Sequence, residues 1–460
     1  MGIQSLFNIF SPAPHLPEIS NEEEVKENYK YWRQRIFYSM LIGYALYYFT
    51  RRSFTFAMPG LITDLGFDKS QLGILGSVLS ISYGMSKFLS GILADRSNPR
   101  YFMALGLFLT GVCNICFGMS SSLWMFIIFW GANGLFQGFG WPSCARSLTN
   151  WYSHSERGAW WSSASVAHNL GAFISPWVVG LCLEFLGWRS GMYVPGIVCI
   201  AGSFYLINRL RDTPQSLGLP SIEKFRNDYP GKPKKSEEGE LTTRELLKGV
   251  LSKKYIWLLA FAYLFLYVLR MGIGDWTGLF LYEVKGYGAL GSSGTSSLFE
   301  AGGFCGCLIA GWSSDRLFKA KRGPVCILFA LGILCSIFLF WMVPPGYIIL
   351  DWITIFFMGL TVFGPQMLIG IFASEICHKK AAATANGFVG WVAYIGAAVS
   401  GYPMGLVIDH AGWSGAFLVL LCCSLFLLLL LLPLWNVTRA TVEEKEVEKD
   451  PEKSDEPAFA

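Results

Sequence analysis

Two stretches of this chain, Tyr101–Met119 and Phe417–Trp435, run for about twenty residues without one charged side chain, the length that crosses a hydrocarbon core as a helix. A water-soluble fold has no use for such runs. Apolar residues make up 53% of the 460 and charged residues 15%, against roughly 25% charge in soluble domains. Hydropathy and turn signals place spans near 36–58, 71–93, 101–119, 124–146, 160–184 and 190–208. A second set follows near 255–282, 293–313, 324–342, 349–373, 382–406 and 413–436. The expectation is an all-α membrane protein of twelve helices in two sets of six.

Lys and Arg in the flanks set the orientation. Of the 36 basic residues, 29 fall on the side that holds both termini and the even-to-odd loops; the opposite side has Lys69, Arg189 and Lys285. Both termini and the central loop are therefore expected in the cytoplasm. The domain plan is a segment 1–35, a six-helix bundle 36–208, a linker 209–254 rich in Pro, Lys and Glu, a second bundle 255–436 and a disordered tail 437–460. The first thirty residues lack the apolar core of a cleavable signal. The cysteines lie mostly inside spans, where Cys behaves as a small apolar residue; Cys113 and Cys116 sit mid-helix without further ligands, so no metal or cofactor is expected. The basic balance follows from the loops and calls for no nucleic-acid partner.

Several features recur about 220 residues apart. Gly91-Ile-Leu-Ala-Asp95-Arg96 closes span 2 and Gly311-Trp-Ser-Ser-Asp315-Arg316 closes span 8. Gly187-Trp188 opens span 6, and Gly412-Trp413 opens span 12. Tyr48-Phe-Thr-Arg51 on span 1 is echoed by Tyr267-Val-Leu-Arg270 on span 7. Echoes at nearly one offset imply two halves related by an axis along the membrane normal. Asp95, Arg96, Asp315 and Arg316 can lock helix ends in one conformation and release them in another. This repeated G-x-x-x-D-R pattern resembles the loop signature of the major facilitator superfamily, which implies that fold. Gly131, Gly134, Gly138 and Gly140 on span 4 let helices approach closely.

An ionisable side chain inside a span costs at least about 2.5–3.5 kcal/mol on insertion scales, so each needs a reason. Arg51 and Arg270 lie deep in spans 1 and 7, one per half, each with a Tyr one turn earlier. Two desolvated guanidiniums facing one another repel unless an anion lies between them, and their forked donors suit phosphate oxygens. The pair reads as a clamp for a dianion. Lys87 either adds charge to the same cavity or snorkels to the membrane surface. His168 either donates to the phosphate or is a satisfied core histidine. Arg52 points about 100° away from Arg51 and so serves a separate purpose. Asp275 and Glu300 are the membrane acids that can pair with it as a gate.

The chain resembles the organophosphate:phosphate antiporters from about residue 30 to 436. The resemblance rests on Tyr-Phe-Thr-Arg-Arg-Ser-Phe-Thr-Phe-Ala-Met-Pro (48–59), Tyr-Gly-Met-Ser-Lys-Phe (83–88), Asp-Arg-Ser-Asn-Pro-Arg (95–100) and Gln-Gly-Phe-Gly-Trp-Pro (137–142). Ala-His-Asn (167–169), Arg-Asp-Thr-Pro-Gln-Ser-Leu-Gly-Leu-Pro (211–220) and Tyr-Val-Leu-Arg-Met-Gly-Ile-Gly-Asp-Trp (267–276) complete it. It implies exchange of a sugar or glycerol phosphate for inorganic phosphate by rocking of the halves. It also implies phosphate contacts from Arg51, Arg270, Lys87 and His168, and a gate of Arg52 with Asp275. The cavity positions it implies are Tyr44, Tyr48, Gln137, Trp141, Tyr267 and Tyr394. The chain departs from the glycerol-phosphate branch at Ala164, Ser165 and Phe363. The small Ala164 and Ser165 leave room for a larger ligand, and Asn386, Trp391 and Tyr394 on span 11 suit a sugar.

The expected function is thus exchange of a hexose 6-phosphate for inorganic phosphate, in a monomer in a bacterial inner membrane. A membrane sensor for the same ester, signalling through its cytoplasmic loops, is the rival. No nucleophile-base pair or metal cluster lies in the spans, so an enzyme is not expected.

Overall fold

A computed structural model describes residues 10–228, 249–319, 321–377 and 381–437. The first six spans are carried by α1 (Glu22–Leu65), α2 (Lys69–Asp95), α3 (Pro99–Met119), α4 (Leu123–Gln137) with α5 (Gly140–Trp151), α6 (His154–Leu186) and α7 (Ser190–Arg209). A short α8 (Ile222–Arg226) follows. The second six are α9 (Lys254–Glu283), α10 (Ala289–Trp312), α11 (Arg322–Met342), α12 (Ile348–Glu375), α13 (Ala382–Val399) and α14 (Tyr402–Leu431). The chain is an all-α membrane protein with twelve transmembrane helices.

Eight segments among the described residues are long and apolar enough to cross a membrane by themselves, and one of them, Thr384–Leu434, is 51 residues long and holds two spans. The three spans that fall short do so for visible reasons. The first carries Arg51 and Arg52. The fourth is broken in two at Gly138 and Phe139. The eighth is lined with buried Ser292, Ser293, Thr295, Ser296 and Ser297.

Helix α1 has 44 residues, about 66 Å at 1.5 Å each, twice a hydrocarbon core of about 30 Å. Its first turns therefore stand outside the membrane. Asn21 caps them by accepting from the Glu23 N–H, and Glu22, Glu23 and Glu24 favour the positive helix end. The repeated Gly-Trp pair has a backbone cause. Gly187 (φ 81, ψ 168) and Gly412 (φ 67, ψ −173) adopt the same conformation, one that side-chain-bearing residues avoid. Span 11 is less regular than its sequence suggests: the helix stops at Val399, restarts at Tyr402 and turns into span 12 at Gly412.

The chain divides into two compact units. In the first, α1 packs on α6 and α7, α3 on α4 and α7, and α2 on α4. In the second, α11 packs on α12 and α14, and α12 on α13. The third and last spans of each half therefore pack together in both. By contact, Gly278–Ser297, the end of α9 and start of α10, groups with the first unit. Lys69 pairs with Glu283 at 3.1 Å, Trp177 Nε1 donates to Ser297 Oγ at 3.0 Å, and the Leu290 N–H donates to Glu184 Oε2 at 3.3 Å.

Candidate functional site

In the first unit the break in span 4 sets the site. Ser86 of α2 approaches so closely that a Cβ on Gly138 would overlap its Oγ. The Ser86 hydroxyl donates to the Leu135 carbonyl, which also accepts from the Gly138 N–H at 3.3 Å where α4 ends. The helix stops at Gln137, whose side chain is turned into α1. Gln137 Nε2 donates to Tyr47 O at 3.1 Å, Thr50 Oγ1 at 3.0 Å and Asn133 Oδ1 at 3.4 Å. Asn133 Nδ2 donates to Thr50 O at 2.9 Å. With its NH2 facing three acceptors, the Gln137 amide has one sensible orientation. Its Oε1 then accepts from Arg51 Nε at 3.2 Å. This partner is neutral and takes nothing from the charge of the guanidinium.

Aromatic faces complete this setting. The Arg51 guanidinium carbon lies 4.7 Å from the Tyr48 ring centre and 4.3 Å from that of Tyr83, both within cation–π range. Lys87 Nζ comes within 5.8 Å of the same Tyr83 ring, with its side chain exposed. His168 is half-buried, its ring 6.2 Å from that of Tyr48. Tyr44 stands 5.9 Å from Tyr48 and 5.2 Å from Trp141, which meets Trp161 at 5.6 Å. Arg51, Lys87, His168, Tyr44, Tyr48, Gln137 and Trp141 are thus brought together. Tyr83, Trp161 and Asn133 join them, beyond what the sequence led one to expect. Tyr83 stands inside the Tyr-Gly-Met-Ser-Lys-Phe motif, whereas Asn133 carries no sequence signal. Ala164 is buried nearby on α6; the Ser165 side chain lies outside the described residues.

In the second unit Arg270 has a different setting. Its guanidinium carbon is 4.8 Å from the Phe363 ring centre and 5.7 Å from that of Tyr267. Tyr267 meets Tyr394 at 5.5 Å and Tyr263 at 4.9 Å. The buried Tyr263 hydroxyl donates to Gln366 O at 3.0 Å, next to Pro365 inside α12. Phe299 packs edge-on against Phe363 at 5.4 Å, and its neighbour Glu300 is buried. Tyr267 and Tyr394 therefore sit with Arg270, as does Phe363. Trp391 is 61% exposed and Asn386 is exposed on α13. Nothing in the sequence marks Tyr263, because only the rotation of α9 reveals it.

Of the expected gate residues, Arg52 is buried in the first unit and Asp275 half-buried in the second. Asp95 ends α2 with its side chain outside the described residues, and Arg96 is exposed. Arg146 from α5 donates to the Ala94 carbonyl at 2.7 Å and pairs with the buried Asp212 at 3.5 Å. In the second half Asp315 falls in a π-helical turn, Ser313–Leu317. Its partner is Arg322, at 2.5 Å, and Arg322 also holds Glu375 at 2.8 Å. Arg316 is exposed.

A family model described as Major Facilitator Superfamily matches residues 40–401. The chain is 53% identical over 447 residues to a probable hexose phosphate transport protein of Chlamydia trachomatis, covering 95% of this chain and 98% of that relative. It is 45% identical over 429 residues to a membrane sensor protein of Escherichia coli, covering 93% and 98%. Among solved structures, an inward-facing bacterial homolog of a human lysosomal transporter, Spinster, superposes with a TM-score of 0.73 over 90% of this chain and 98% of that one. At 15% identity that likeness speaks to the fold alone.

Proposed function

The chain belongs to the Major Facilitator Superfamily and, within it, to the organophosphate:phosphate antiporter family, and from that premise we propose that it exchanges a hexose 6-phosphate for inorganic phosphate. The observation that supports this reading best is the state of Arg51. A guanidinium deep in a span has its plane set by the Gln137 amide and its faces against two phenol rings, an arrangement that aims its forked donors. Such a group is prepared for an anion that arrives from outside. Arg270, seated on Tyr267 and Phe363, supplies the second positive charge for a doubly ionised phosphoryl group. The relative named for hexose phosphate transport favours a sugar ester, and the small Ala164 favours one larger than glycerol phosphate.

In the proposed cycle the phosphate group neutralises both arginines and permits reorientation. Without it their charges oppose closure, so the empty carrier does not return; only a ligand with different affinity for the two states can shift them. Exchange follows from electrostatics. Lys87 and His168 add donors at the rim, and Arg52 with Asp275 serves as a gate. The location is a bacterial inner membrane with both termini in the cytoplasm.

Counterflow tests the proposal. Proteoliposomes loaded with inorganic phosphate are offered labelled glucose 6-phosphate, glycerol 3-phosphate or phosphate. The hexose ester is expected to enter, and only when phosphate is inside. The relative named as a sensor motivates the second reading: saturable binding of the ester with no flux would move the assignment from carrier to receptor.

A further inference from the structure

One end of the first unit holds a group of arginines that the transport reading does not use. Arg35 on α1, Arg100 at the start of α3 and Arg211 just beyond α7 converge on the last carbonyls of α7. Arg35 Nη2 donates to Asn208 Oδ1 at 3.0 Å, Arg100 Nε to Ile207 O at 2.6 Å, and Arg211 Nη1 to Leu210 O at 2.7 Å and Asn208 O at 3.0 Å. A helix C-terminus carries only about half a negative charge, so three full positive charges exceed what this end requires. Among the described residues no carboxylate forms an ion pair with any of the three. Burial lowers the Arg211 pKa, and the charges of Arg100 and Arg35 lower it further.

The surroundings specify where the compensating anion comes from. Trp32 lies under two of the guanidiniums, 5.2 Å from Arg35 and 4.7 Å from Arg211, and Tyr101 lies 5.0 Å from Arg100. Trp and Tyr beside Arg at the ends of spans are the pattern of a membrane–water boundary. Exposed apolar stripes lead away from the cluster along the spans: Tyr38 and Ile42 follow Arg35 on one face of α1, and Phe204 and Ile197 precede Asn208 on one face of α7. An anion at the arginines thus has room for acyl chains directly alongside.

We propose that Arg35, Arg100 and Arg211 form a binding site for the headgroup phosphate of an anionic phospholipid, in the leaflet on the side of the N-terminus. The bidentate forks suit a phosphodiester, the aromatic rings suit the headgroup level, and basic pockets between spans take such lipids generally.

The test is native mass spectrometry of the full-length protein with equal amounts of phosphatidylglycerol and phosphatidylcholine. The parent is expected to retain phosphatidylglycerol about fivefold over phosphatidylcholine, and a variant carrying Arg35→Gln, Arg100→Gln and Arg211→Gln is expected to lose the preference. Equal retention by the parent, or an unchanged preference in the folded variant, overturns the site. Loss of the preference in excess inorganic phosphate assigns the cluster to a soluble anion and equally overturns it. Should the variant fail to fold, a photoactivatable phosphatidylglycerol on the parent decides. Adducts within 31–42, 100–108 or 197–211 support the site, and adducts elsewhere refute it.

Discussion

Arg51 and Arg270 stand 219 residues apart at matching places in the two halves, yet the chain holds them by different means. Arg51 is fixed by a directional hydrogen bond to an amide that is itself tied to three acceptors. Arg270 rests on the rings of Phe363 and Tyr267. Ring faces attract both cations, and on Arg51 the Gln137 carbonyl in addition sets the plane of the guanidinium. The internal repeat has kept the charge and changed its support. In the first half of the proposed clamp an amide aims the charge, and in the second Phe363 and Tyr267 line it.

Substitutions can break this contrast. The largest effect is expected from Arg51→Lys, because an ammonium cannot reach Gln137 and present a fork at once: phosphate exchange in proteoliposomes should fall about 100-fold or more, about 2.7 kcal/mol at tenfold per 1.36 kcal/mol. Near-normal exchange there would end the clamp. Next, Gln137→Glu gives Arg51 an internal carboxylate that competes with substrate; half-saturating hexose phosphate should rise about 30-fold, within the 1.5–3 kcal/mol of a hydrogen bond to a charged group. An unchanged value in a variant that melts like the parent would show that Gln137 does not hold the guanidinium. A smaller loss, about fivefold to tenfold, is expected for Phe363→Leu from the missing cation–π contact. If it equalled Arg51→Lys, the Phe363 ring would matter as much as the Arg51 fork. The smallest is His168→Gln, about threefold in turnover from one lost donor. Turnover equal to the parent's would show that His168 gives the phosphate nothing.

The spans were legible because lipid leaves few alternatives: long uncharged runs must be helices. Arg51 and Arg270 were legible for the same reason, since a charge in hydrocarbon demands an explanation. The Gly-Trp echo was legible as a repeat, but its cause, a positive φ at Gly187 and Gly412, is a property of the backbone. What the residues could not disclose was which faces meet. Asn133 is one polar residue on an apolar helix until α4 is rotated against α1. The break after Gln137 hid inside a run that hydropathy read as one span, although Gly138, Gly140 and Pro142 were in plain view. Asp315 has a neighbour in Arg316 by sequence and a partner in Arg322 by geometry, a pairing seven residues on that spacing did not mark.

The attachment of Gly278–Ser297 to the first unit has a consequence for how the chain is made. Ribosomes add roughly 5–20 residues per second, and about seventy residues separate the end of α7 from this segment. For several seconds of synthesis the first six spans are therefore in the bilayer without the groups that Trp177, Glu184 and Lys69 hold in the finished protein. The first unit is completed only when the seventh and eighth spans arrive, so the unit of assembly is larger than the unit of the repeat.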